Sequence, residues 1–503
     1  MNASTPALYD VAVIGGGING TGIARDAAGR GLKVLLVEKD DLAAHTSSLS
    51  TKLIHGGLRY LEHYEFHLVS EALSEREVLL QVAPHIIEPL QFVLPHEPHL
   101  RPAWMIRCGL FLYDHIGGRR TLPSSFGVDL AASKWGAGLK DSFRKGFVYS
   151  DARVDDARLV VFNAIGAREL GADIRTRTRL ASARRENGMW RATLVDAAGR
   201  MEEVVARALV NAAGPWVKKI LDQISPGSIR ADVRHVKGSH IVVPRVHPEP
   251  HAYILQNSDK RIVFVIPFQG AFSLIGTTDI PVEDYDAPRI SADEVDYLCS
   301  IANAYLARPL GAADVVWTYS GVRPLYDDGS ADPSAITRDY VLKLDAGDGR
   351  APMLSIFGGK ITTYRKLAEH ALAELRAFFP QMQAGWTHRQ PLPGGDLPRG
   401  GLAAYERELA ARYPALPTDL LAALARRHGT RTPRVLGAAR TPADLGRHFG
   451  DTLYVAEIDW LVAQEWAIEA DDVLWRRTKC GLHLSGAERD AVAEYLRSRG
   501  GPA

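Results

Sequence analysis

The order of apolar and polar positions predicts a strand, a helix and a second strand within the N-terminal part of the chain. Tyr9–Ile14 is a short apolar run, Ile18–Gly29 has helical composition, and Lys33–Val37 is again apolar and ends at Glu38. A glycine-rich turn separates the first strand from the helix. This order is typical of a βαβ unit, in which a helix joins two parallel strands and packs on them.

Helical and strand-like patterns alternate through most of the chain that follows. Between Val233 and Asp279, proline and glycine break the apolar runs into short strands. Pro84–Pro102 is rich in proline, which favours an extended chain. The predicted helices are Glu65–Val82, Asp156–Leu170, Ser291–Leu306 and one starting near Thr362. The predicted strands are Leu209–Ala213, His240–Val243, Arg261–Pro267, Ser273–Gly276, Val315–Tyr319 and Met353–Phe357.

The pattern changes after the proline- and glycine-rich stretch Pro391–Asp396, which predicts a linker. Amphipathic helical segments follow at Leu402–Arg412, Thr418–Arg427, Leu453–Ile468 and Ala487–Ser498, and Thr418 or Asp419 is expected to cap the second of them. We therefore predict two parts of the chain: a larger N-terminal region at residues 1–390 and an all-helical C-terminal domain at residues 391–503.

Composition narrows the class of protein. With 60 Lys and Arg against 59 Asp and Glu, the net charge of +1 argues against nucleic acid as a general partner. The three cysteines, Cys108, Cys299 and Cys480, have no metal-ligand spacing and predict a reducing compartment. Neither a signal peptide nor a membrane-spanning run is predicted, so the expected location is cytoplasmic.

The first glycine turn matches G-x-G-x-x-G at Gly15, Gly17 and Gly20. In this motif the glycines allow a tight turn, close approach of a pyrophosphate and close helix packing, and the helix N-terminus offers free N–H groups. Glu38 ends the next strand, where a carboxylate can bind the adenosine ribose. Strand, turn, helix, strand and acid thus occur in the order of a dinucleotide site.

Two further glycine turns favour a flavin over NAD. Leu209–Trp216 is a strand that runs into Gly214, and Phe357–Thr363 passes through Gly358 and Gly359 into a helix. The first resembles the second adenine-side signature that is common in FAD oxidoreductases. Backbone N–H groups in the Gly358–Gly359 turn can bind a flavin carbonyl or ribityl oxygen. An NAD-linked dehydrogenase needs one such motif, and these two would then stay unexplained.

Long motifs throughout the chain resemble aerobic, FAD-dependent glycerol-3-phosphate dehydrogenases. They are Ser47–Tyr64, Leu100–Arg107, Val154–Leu159, Val236–His240, Tyr319–Leu325, Phe357–Leu367 and Leu474–Leu482. The resemblance implies an α/β fold: a Rossmann-like FAD-binding domain interleaved with an α+β substrate domain containing an antiparallel sheet, plus the C-terminal helical domain. We expect the FAD-binding segments at about 8–82, 147–232 and 350–390, and the substrate-domain segments at about 83–146 and 233–349.

The motifs and the resemblance together give the candidate site. The cofactor-binding residues are Gly15, Gly17, Ile18, Asn19, Gly20, Glu38, Lys39, Ser47, Ser48, Thr51, Lys52, Leu53, His55, Gly56, Gly57, Ala213, Gly214, Trp216, Gly358, Gly359, Lys360, Ile361 and Thr362. The resemblance points to Arg59, Tyr60, Arg323, Arg338, Lys360 and Thr362 for the substrate, sn-glycerol 3-phosphate. Arginine and lysine suit its phosphate.

Two residues are candidates for the chemistry itself. Arg323 can stabilise the developing alkoxide, although its role is not separable from phosphate binding in the sequence. His55 can take the hydroxyl proton, since imidazole titrates near neutrality, or can instead hold the Gly56–Gly57 turn. His235 and His240 are weaker alternatives for the base.

The resemblance implies a respiratory quinone as electron acceptor and peripheral contact with the inner face of the cytoplasmic membrane. The basic, aromatic stretch Arg101–Tyr113 could lie in the headgroup region, or could pack inside as a core helix. The basic C-terminal residues are a second candidate surface, and a homodimer stays open. The alternative functions are a glycerol-3-phosphate oxidase using dioxygen, a flavin amine or amino-acid oxidase, and a non-catalytic or RNA-modifying flavin protein.

Overall fold

The computed structural model describes residues 6–97, 101–118, 121–227, 229, 231–257, 261–327, 339–347 and 350–500. Its first sheet has eight strands, and the parallel ladder β18-β10-β1-β2-β7 forms its centre. An antiparallel edge strand, β17, and the antiparallel extension β8-β9 complete it. The strands are β1 (Ala7–Ile14), β2 (Val34–Val37), β7 (Asp173–Arg175), β8 (Thr178–Glu186), β9 (Met189–Asp196), β10 (Met201–Asn211), β17 (Val341–Asp345) and β18 (Met353–Phe357).

Helices cover both faces of the parallel ladder, which explains why its strands read as continuous apolar runs. Val34 to Val37 are all buried. The helices α1 (Ile18–Gly29), α4 (Asp156–Glu169) and α7 (Tyr364–Glu374) pack together around one core, while α5 (Val217–Ile224) packs on the other face.

The second sheet has ten strands and is mostly antiparallel, with β12 and β4 as a parallel pair. Helix α6 (Ala292–Tyr305) covers one face, and α2 (Phe66–Val82) and α3 (Ala103–Ile116) pack on the other. The strands are β3 (Leu53–Ile54), β4 (Ile87–His96), β5 (Phe126–Asp129), β6 (Lys145–Val154), β11 (Asp232–Pro244), β12 (Ala252–Gln256), β13 (Ile262–Phe268), β14 (Phe272–Gly276), β15 (Ile280–Pro281) and β16 (Trp317–Asp327).

The C-terminal part is helical and has two apolar clusters of its own. Its elements are α8 (Gly401–Arg412), α9 (Thr418–His428), α10 (Thr432–Leu436), α11 (Val455–Glu465), a π-helical turn Asp472–Arg477 and α12 (Gly486–Ser498). A two-stranded ladder, β19 (His448–Gly450) with β20 (Leu453–Tyr454), adds to the predicted helices. The expected cap of α9 is wrong: Pro417 occupies the N-cap position and no side chain caps the helix.

The predicted fold class is confirmed, while the boundaries between domains stay predictions. Chain segments from the two sheets alternate along the sequence, as the interleaved arrangement requires. The interpretation of Arg101–Tyr113 as a core helix is wrong, because Leu110 and Tyr113 are the buried residues of α3, whereas Trp104 is 67% and Phe111 55% exposed. Among the described residues, no helix combines the length and apolarity needed to cross a bilayer.

Candidate functional site

A cavity of about 340 Å³ lies at the carboxyl ends of β1, β2, β10 and β18, where ligands bind in open parallel sheets. Five chain segments meet around it, namely residues 14–19, 37–47, 178–180, 212–220 and 358–359. Of the predicted cofactor residues, the following line it: Gly15, Gly17, Ile18, Asn19, Glu38, Lys39, Ser47, Ala213, Gly214, Trp216, Gly358 and Gly359. Thr178, Arg179, Lys219 and Asp286 also line it but lie outside any motif, so the sequence did not indicate them.

The glycine turn brings β1, α1 and β10 closer together than side chains would permit. Gly15 has φ +112°, and a Cβ there would lie 2.5 Å from the carbonyl oxygen of Ala212. A Cβ on Gly20 would lie 1.9 Å from the carbonyl oxygen of Gly15. The motif thus places the N-terminus of α1 directly against the cavity, where its free N–H groups suit a pyrophosphate.

Glu38 forms the other end of the first cofactor segment. Its carboxylate accepts hydrogen bonds from the Gly16 N–H at 2.6 Å and the Asp40 N–H at 2.9 Å. Burial raises the pKa of this carboxyl, and the two backbone donors oppose that shift. A carboxylate has about four acceptor positions, so it retains acceptor capacity for ribose hydroxyl groups.

The third glycine turn forms another part of the cavity wall. The Asn19 amide donates to the carbonyl oxygen of Gly358 at 3.1 Å, and a Cβ on Gly359 would lie 2.8 Å from Asn19 Nδ2. Asn19 Oδ1 is buried and has no hydrogen-bond partner among the described residues. An open cradle with an unsatisfied buried acceptor fits a cofactor that carries hydroxyl groups.

Trp216 belongs to a cluster around the cavity that connects distant parts of the chain. Its indole N–H donates to Asp286 at 2.5 Å, and the Lys39 ammonium lies 3.9 Å from the ring centre. His235 Nε2 donates to the Pro215 carbonyl oxygen at 2.9 Å, and the His235 ring stacks on Tyr285. His235 therefore supports this turn and is a poor candidate for the base.

Several predicted cofactor residues do not line the cavity but bind protein groups in the layer next to it. The Lys52 ammonium is buried and donates to the Ser48 carbonyl oxygen at 2.7 Å and to both oxygens of Asp156 at 2.9 Å. These contacts use its three donors. Thr51 Oγ1 pairs with His240 Nε2 at 3.0 Å. The residues outside the cavity lining are Gly20, Ser48, Thr51, Lys52, Leu53, His55, Gly56, Gly57, Lys360, Ile361 and Thr362.

A second cluster forms where the Gly56–Gly57 turn meets the start of α7. The His55 N–H donates to Thr362 Oγ1 at 3.3 Å, and the Gly57 N–H donates to His55 Nδ1 at 3.1 Å. The Lys360 ammonium lies 4.1 Å from the centre of the Tyr60 ring. Burial lowers the pKa of His55, the charge of Lys360 adds to that shift, and Asp151 opposes it.

The Gly56 backbone is held by a buried polar network that the sequence did not indicate. Its N–H donates to the Tyr113 hydroxyl at 2.8 Å, and that hydroxyl donates to Asp151 at 2.7 Å. Arg76 pairs with Asp151 at 2.8 Å. These partners lie on α2, α3 and β6, so no local pattern could have connected them.

Arg323 lies near the middle of β16, next to Pro324, which lines the cavity. Its guanidinium donates to the Thr278 carbonyl oxygen at 3.2 Å and to Asp279 at 2.8 Å, and 45% of its side chain is exposed. Lys360 directly follows Gly359 of the cavity wall. Arg59 is half-buried beside Tyr60, and Arg338 lies outside the described residues.

The glycine cradle, the buried carboxylate of Glu38 and the adjoining cations define a flavoprotein oxidoreductase. Residues 10–365 match the family described as FAD dependent oxidoreductase, and residues 386–498 match the C-terminal domain of alpha-glycerophosphate oxidase. The chain belongs to the FAD-dependent oxidoreductase family, and its cofactor is FAD.

Within this family, the predicted resemblance to aerobic glycerol-3-phosphate dehydrogenases is confirmed. The chain is 54% identical to the aerobic glycerol-3-phosphate dehydrogenase of Escherichia coli, over 97% of each chain. It is 53% identical to the D-erythritol 1-phosphate dehydrogenase of Brucella abortus, over 98% of each. It also resembles the crystal structure of the Bacillus halodurans glycerol-3-phosphate dehydrogenase complexed with FAD, with a TM-score of 0.74 and 25% identity over 98% of this chain and 94% of that one.

Proposed function

We propose that the protein oxidises sn-glycerol 3-phosphate to dihydroxyacetone phosphate with FAD and passes the electrons to a respiratory quinone. The observation that carries this proposal is the position of Arg323 and Lys360, each one residue from the wall of the cofactor cavity. A phosphorylated substrate bound by these cations would lie beside the cofactor. The relatives named above support the substrate class.

The chain's own residues bind and orient the two partners. The cofactor-binding set predicted from the sequence is retained, with Lys52, Thr51 and Ser48 supporting the cradle from behind. Arg59, Arg323 and Lys360 provide fixed positive charge for the phosphate and the reacting oxygen. Arg338 remains part of the proposed substrate set.

The oxidation removes a hydride from C2 and a proton from its hydroxyl group, and bound FAD accepts the hydride. The hydroxyl proton needs a separate acceptor. Neutral imidazole has one donor and one acceptor nitrogen, and the Gly57 N–H occupies the acceptor Nδ1 of His55. The proton of neutral His55 is then on Nε2, so we propose that His55 holds the turn and donates toward the reacting oxygen, instead of acting as the base. The hydroxyl proton then passes to solvent water as the hydride leaves C2.

The surface of α3 supports contact with a membrane. Trp104, Phe111 and Leu112 are exposed on this helix, and Tyr64, at the end of the Leu58–His63 turn that contacts α3, is 80% exposed. Soluble proteins rarely leave several large apolar side chains exposed on one helix, whereas interfacial helices do. Because Tyr113 of the same helix contacts Gly56, α3 is also close to the cluster around His55 and Lys360. We therefore propose peripheral association with the inner face of the cytoplasmic membrane, where a quinone is available.

An anaerobic titration tests the proposed reaction. Purified protein should show an oxidised flavin spectrum that bleaches on addition of sn-glycerol 3-phosphate and recovers on addition of a quinone analogue. A flavin that stays oxidised with this substrate contradicts the proposed reaction. Recovery with dioxygen as fast as with the quinone analogue would show an oxidase instead.

The 53% identity to the Brucella abortus enzyme favours D-erythritol 1-phosphate as a second candidate substrate. This compound has the same secondary alcohol chemistry on a chain one carbon longer. Steady-state rates with the two substrates and an added quinone analogue, compared as kcat/KM, separate the candidates. A higher kcat/KM with the four-carbon substrate would replace glycerol 3-phosphate in the proposal.

A further inference from the structure

A short basic segment of the C-terminal helical part, Arg476 to Lys479, contacts the region around the cofactor cavity. Arg477 forms a bidentate pair with Asp41, with distances of 2.6 and 2.7 Å, and both side chains are almost completely buried. Arg476 Nε donates to the same carboxylate at 2.6 Å. Lys479 pairs with Asp155 at 2.5 Å. Three cations of one segment therefore bind two acids that belong to the FAD-binding region.

Asp41 lies in the loop that follows Glu38 and supplies Ala43 to Ser47 to the cavity wall. Within this loop, the Asp41 carbonyl oxygen accepts from the Ala44 N–H at 3.2 Å, and the Ala43 N–H donates to the Gly16 carbonyl oxygen at 3.2 Å. The position of Asp41 is thus transmitted directly to the residues that face the cofactor.

The second acid is next to the brace of the flavin-proximal segment. Asp155 caps α4 by accepting from the Arg158 N–H at 3.1 Å. Its neighbour Asp156 binds Lys52 and accepts from the Ser50 hydroxyl at 2.8 Å. Lys479 therefore binds Asp155, the residue next to the Asp156 carboxylate that holds the segment from Ser48 to Lys52.

The basic segment is itself held firmly from the C-terminal side. Arg477 donates to the Glu465 carbonyl oxygen at 2.7 Å. Asp472 pairs with Arg476, and it also pairs with Arg177 at 2.7 Å. The backbone N–H of Arg177 in turn donates to the Asp40 carbonyl oxygen at 2.8 Å. Asp40 and Asp41, where the strand passes into the loop, are thus both connected to the Asp472–Arg477 turn, Asp40 through Arg177 and Asp41 directly.

We infer that the C-terminal helical domain retains the cofactor: Arg477, through Asp41, is a positioning residue that keeps the 39–47 loop in the conformation that binds FAD. Buried ion pairs contribute little net stability but are costly to break on one side, so they select one arrangement of the parts they join. The inference rests on the proposed cofactor residues, and it assigns a role to a domain of which no described residue lines the cofactor cavity.

Release of FAD from the holoenzyme on dilution, followed by recovery of flavin fluorescence, tests this role. If Arg477→Met lowers the competent population of the loop to about a tenth, the dissociation constant for FAD rises about 10-fold. At saturating FAD, kcat should stay close to that of the parent protein. Arg477→Lys should restore part of the affinity for FAD, because lysine keeps a positive charge next to Asp41 but cannot form the bidentate pair.

Arg431→Met is the matched control. Arg431 also joins the C-terminal helices to the FAD region, through Glu169 at the end of α4, and its side chain is 7% exposed. Glu169 is on the far end of α4 from Asp155, so this variant should lose stability without losing affinity for FAD. Equal loss of affinity in both variants would overturn the inference, because general docking would then explain it.

A second variant covers the case in which Arg477→Met fails to fold. The double substitution Asp41→Asn with Arg477→Met removes both buried charges and keeps the volume of the pair nearly constant. FAD bound as tightly by the folded double variant as by the parent overturns the inference. If the parent protein itself binds no FAD, the proposed function fails, and that result is read before any variant is compared.

Discussion

At the scale of single residues, the two ring nitrogens of His55 have different proposed roles. Nδ1 accepts from the Gly57 N–H, and Nε2 faces the reacting oxygen. Asparagine places an acceptor oxygen near the position of Nδ1, whereas glutamine reaches toward Nε2. If acceptance from the Gly57 N–H at Nδ1 is the larger of the two roles of His55, we expect His55→Asn to retain more of kcat than His55→Gln, which should lose about 10- to 100-fold. Steady-state kinetics with an added quinone analogue measures both.

The opposite result has an equally clear meaning. A general base contributes about 10²- to 10⁴-fold, so its removal would reduce kcat in both variants and would abolish the acidic limb of the pH–rate profile. The FAD content of each variant serves as the control, because a loss of cofactor would lower kcat without any change in proton transfer.

His85 permits a prediction about pH and stability. It is buried, neither ring nitrogen has a partner among the described residues, and burial together with Arg158 and His428 lowers its pKa to about 3. The unfolded chain, with an ordinary histidine pKa near ~6.5, binds a proton that the folded chain excludes. The stability contributed by His85 is therefore present above pH ~6.5 and is lost as the pH falls toward 3.

Replacement by leucine removes this proton linkage. Relative to the parent, His85→Leu should be more stable at pH 5 than at pH 7.5 by about 2 kcal/mol, measured by urea unfolding at both values. His67→Leu, on the exposed surface of α2, is the control, since water solvates that imidazole in both states. Parallel pH profiles for His85→Leu and the parent would contradict the linkage.

Residues with a local signal were predictable, and residues defined by distant partners were not. Gly15, Gly20 and Glu38 follow from the turn and the strand in which they occur. Asp41, Tyr113 and Asp279 become significant only through Arg477, Gly56 and Arg323, which are far away in the sequence. Lys52 was foreseen near the cofactor, but its neighbours Asp156 and the Ser48 carbonyl, which use up its donors, were not.

At the scale of elements, α3 carries the prediction about membrane contact. Replacing Trp104 and Phe111 with serine should reduce binding to anionic vesicles about 10-fold or more, because burial of two aromatic side chains in the interface contributes several kcal/mol. Cosedimentation with vesicles measures the effect. Activity with a soluble dye as acceptor should change little.

Serine at Met201 and Leu170 provides a control of matched hydrophobicity. These side chains are 77% and 44% exposed but lie on β10 and after α4, away from α3. Equal loss of vesicle binding in this control would show that general surface hydrophobicity, and not α3, mediates the contact.

Elements were predicted best where the pattern was purely local. α1 and β18 have the predicted bounds, because a helix between glycines and a buried apolar run need no knowledge of partners. β10 starts at Met201 instead of Leu209, since its polar first half is a strand only through pairing with β9. Pro417 took the N-cap of α9 because its fixed φ suits the residue before a first turn.

At the scale of the whole molecule, a buried charge network joins α4 to the C-terminal helices. Arg158 and Glu465 are fully buried and paired, and His428 bridges Glu465 and Glu457. Arg158 lowers the pKa of Glu465 strongly, against the effect of burial. Glu465→Gln leaves the buried guanidinium without its counter-charge, so we expect the unfolding free energy to fall by about 3–5 kcal/mol.

Denaturant unfolding followed by tryptophan fluorescence checks this value. Glu169→Gln, at a half-exposed carboxylate paired with Arg431, should cost about 1 kcal/mol or less. Similar losses of unfolding free energy in the two variants would mean that the buried Arg158–Glu465 pair stabilises the contact between α4 and the C-terminal helices no more than an exposed pair does.

The crossing of β18 into the centre of the first sheet has a consequence for biosynthesis. Gly15–Gly20 leaves the ribosome early, but β18 and the Gly358–Gly359 turn that completes the same cavity are translated much later, and Arg477 later still. A nascent chain therefore exposes half of a cradle with no partner strand to close it, which is the kind of surface that chaperones bind. We therefore expect flavin to load after these segments have been translated, so that a shortage of FAD affects finished, released chains and not those still on the ribosome.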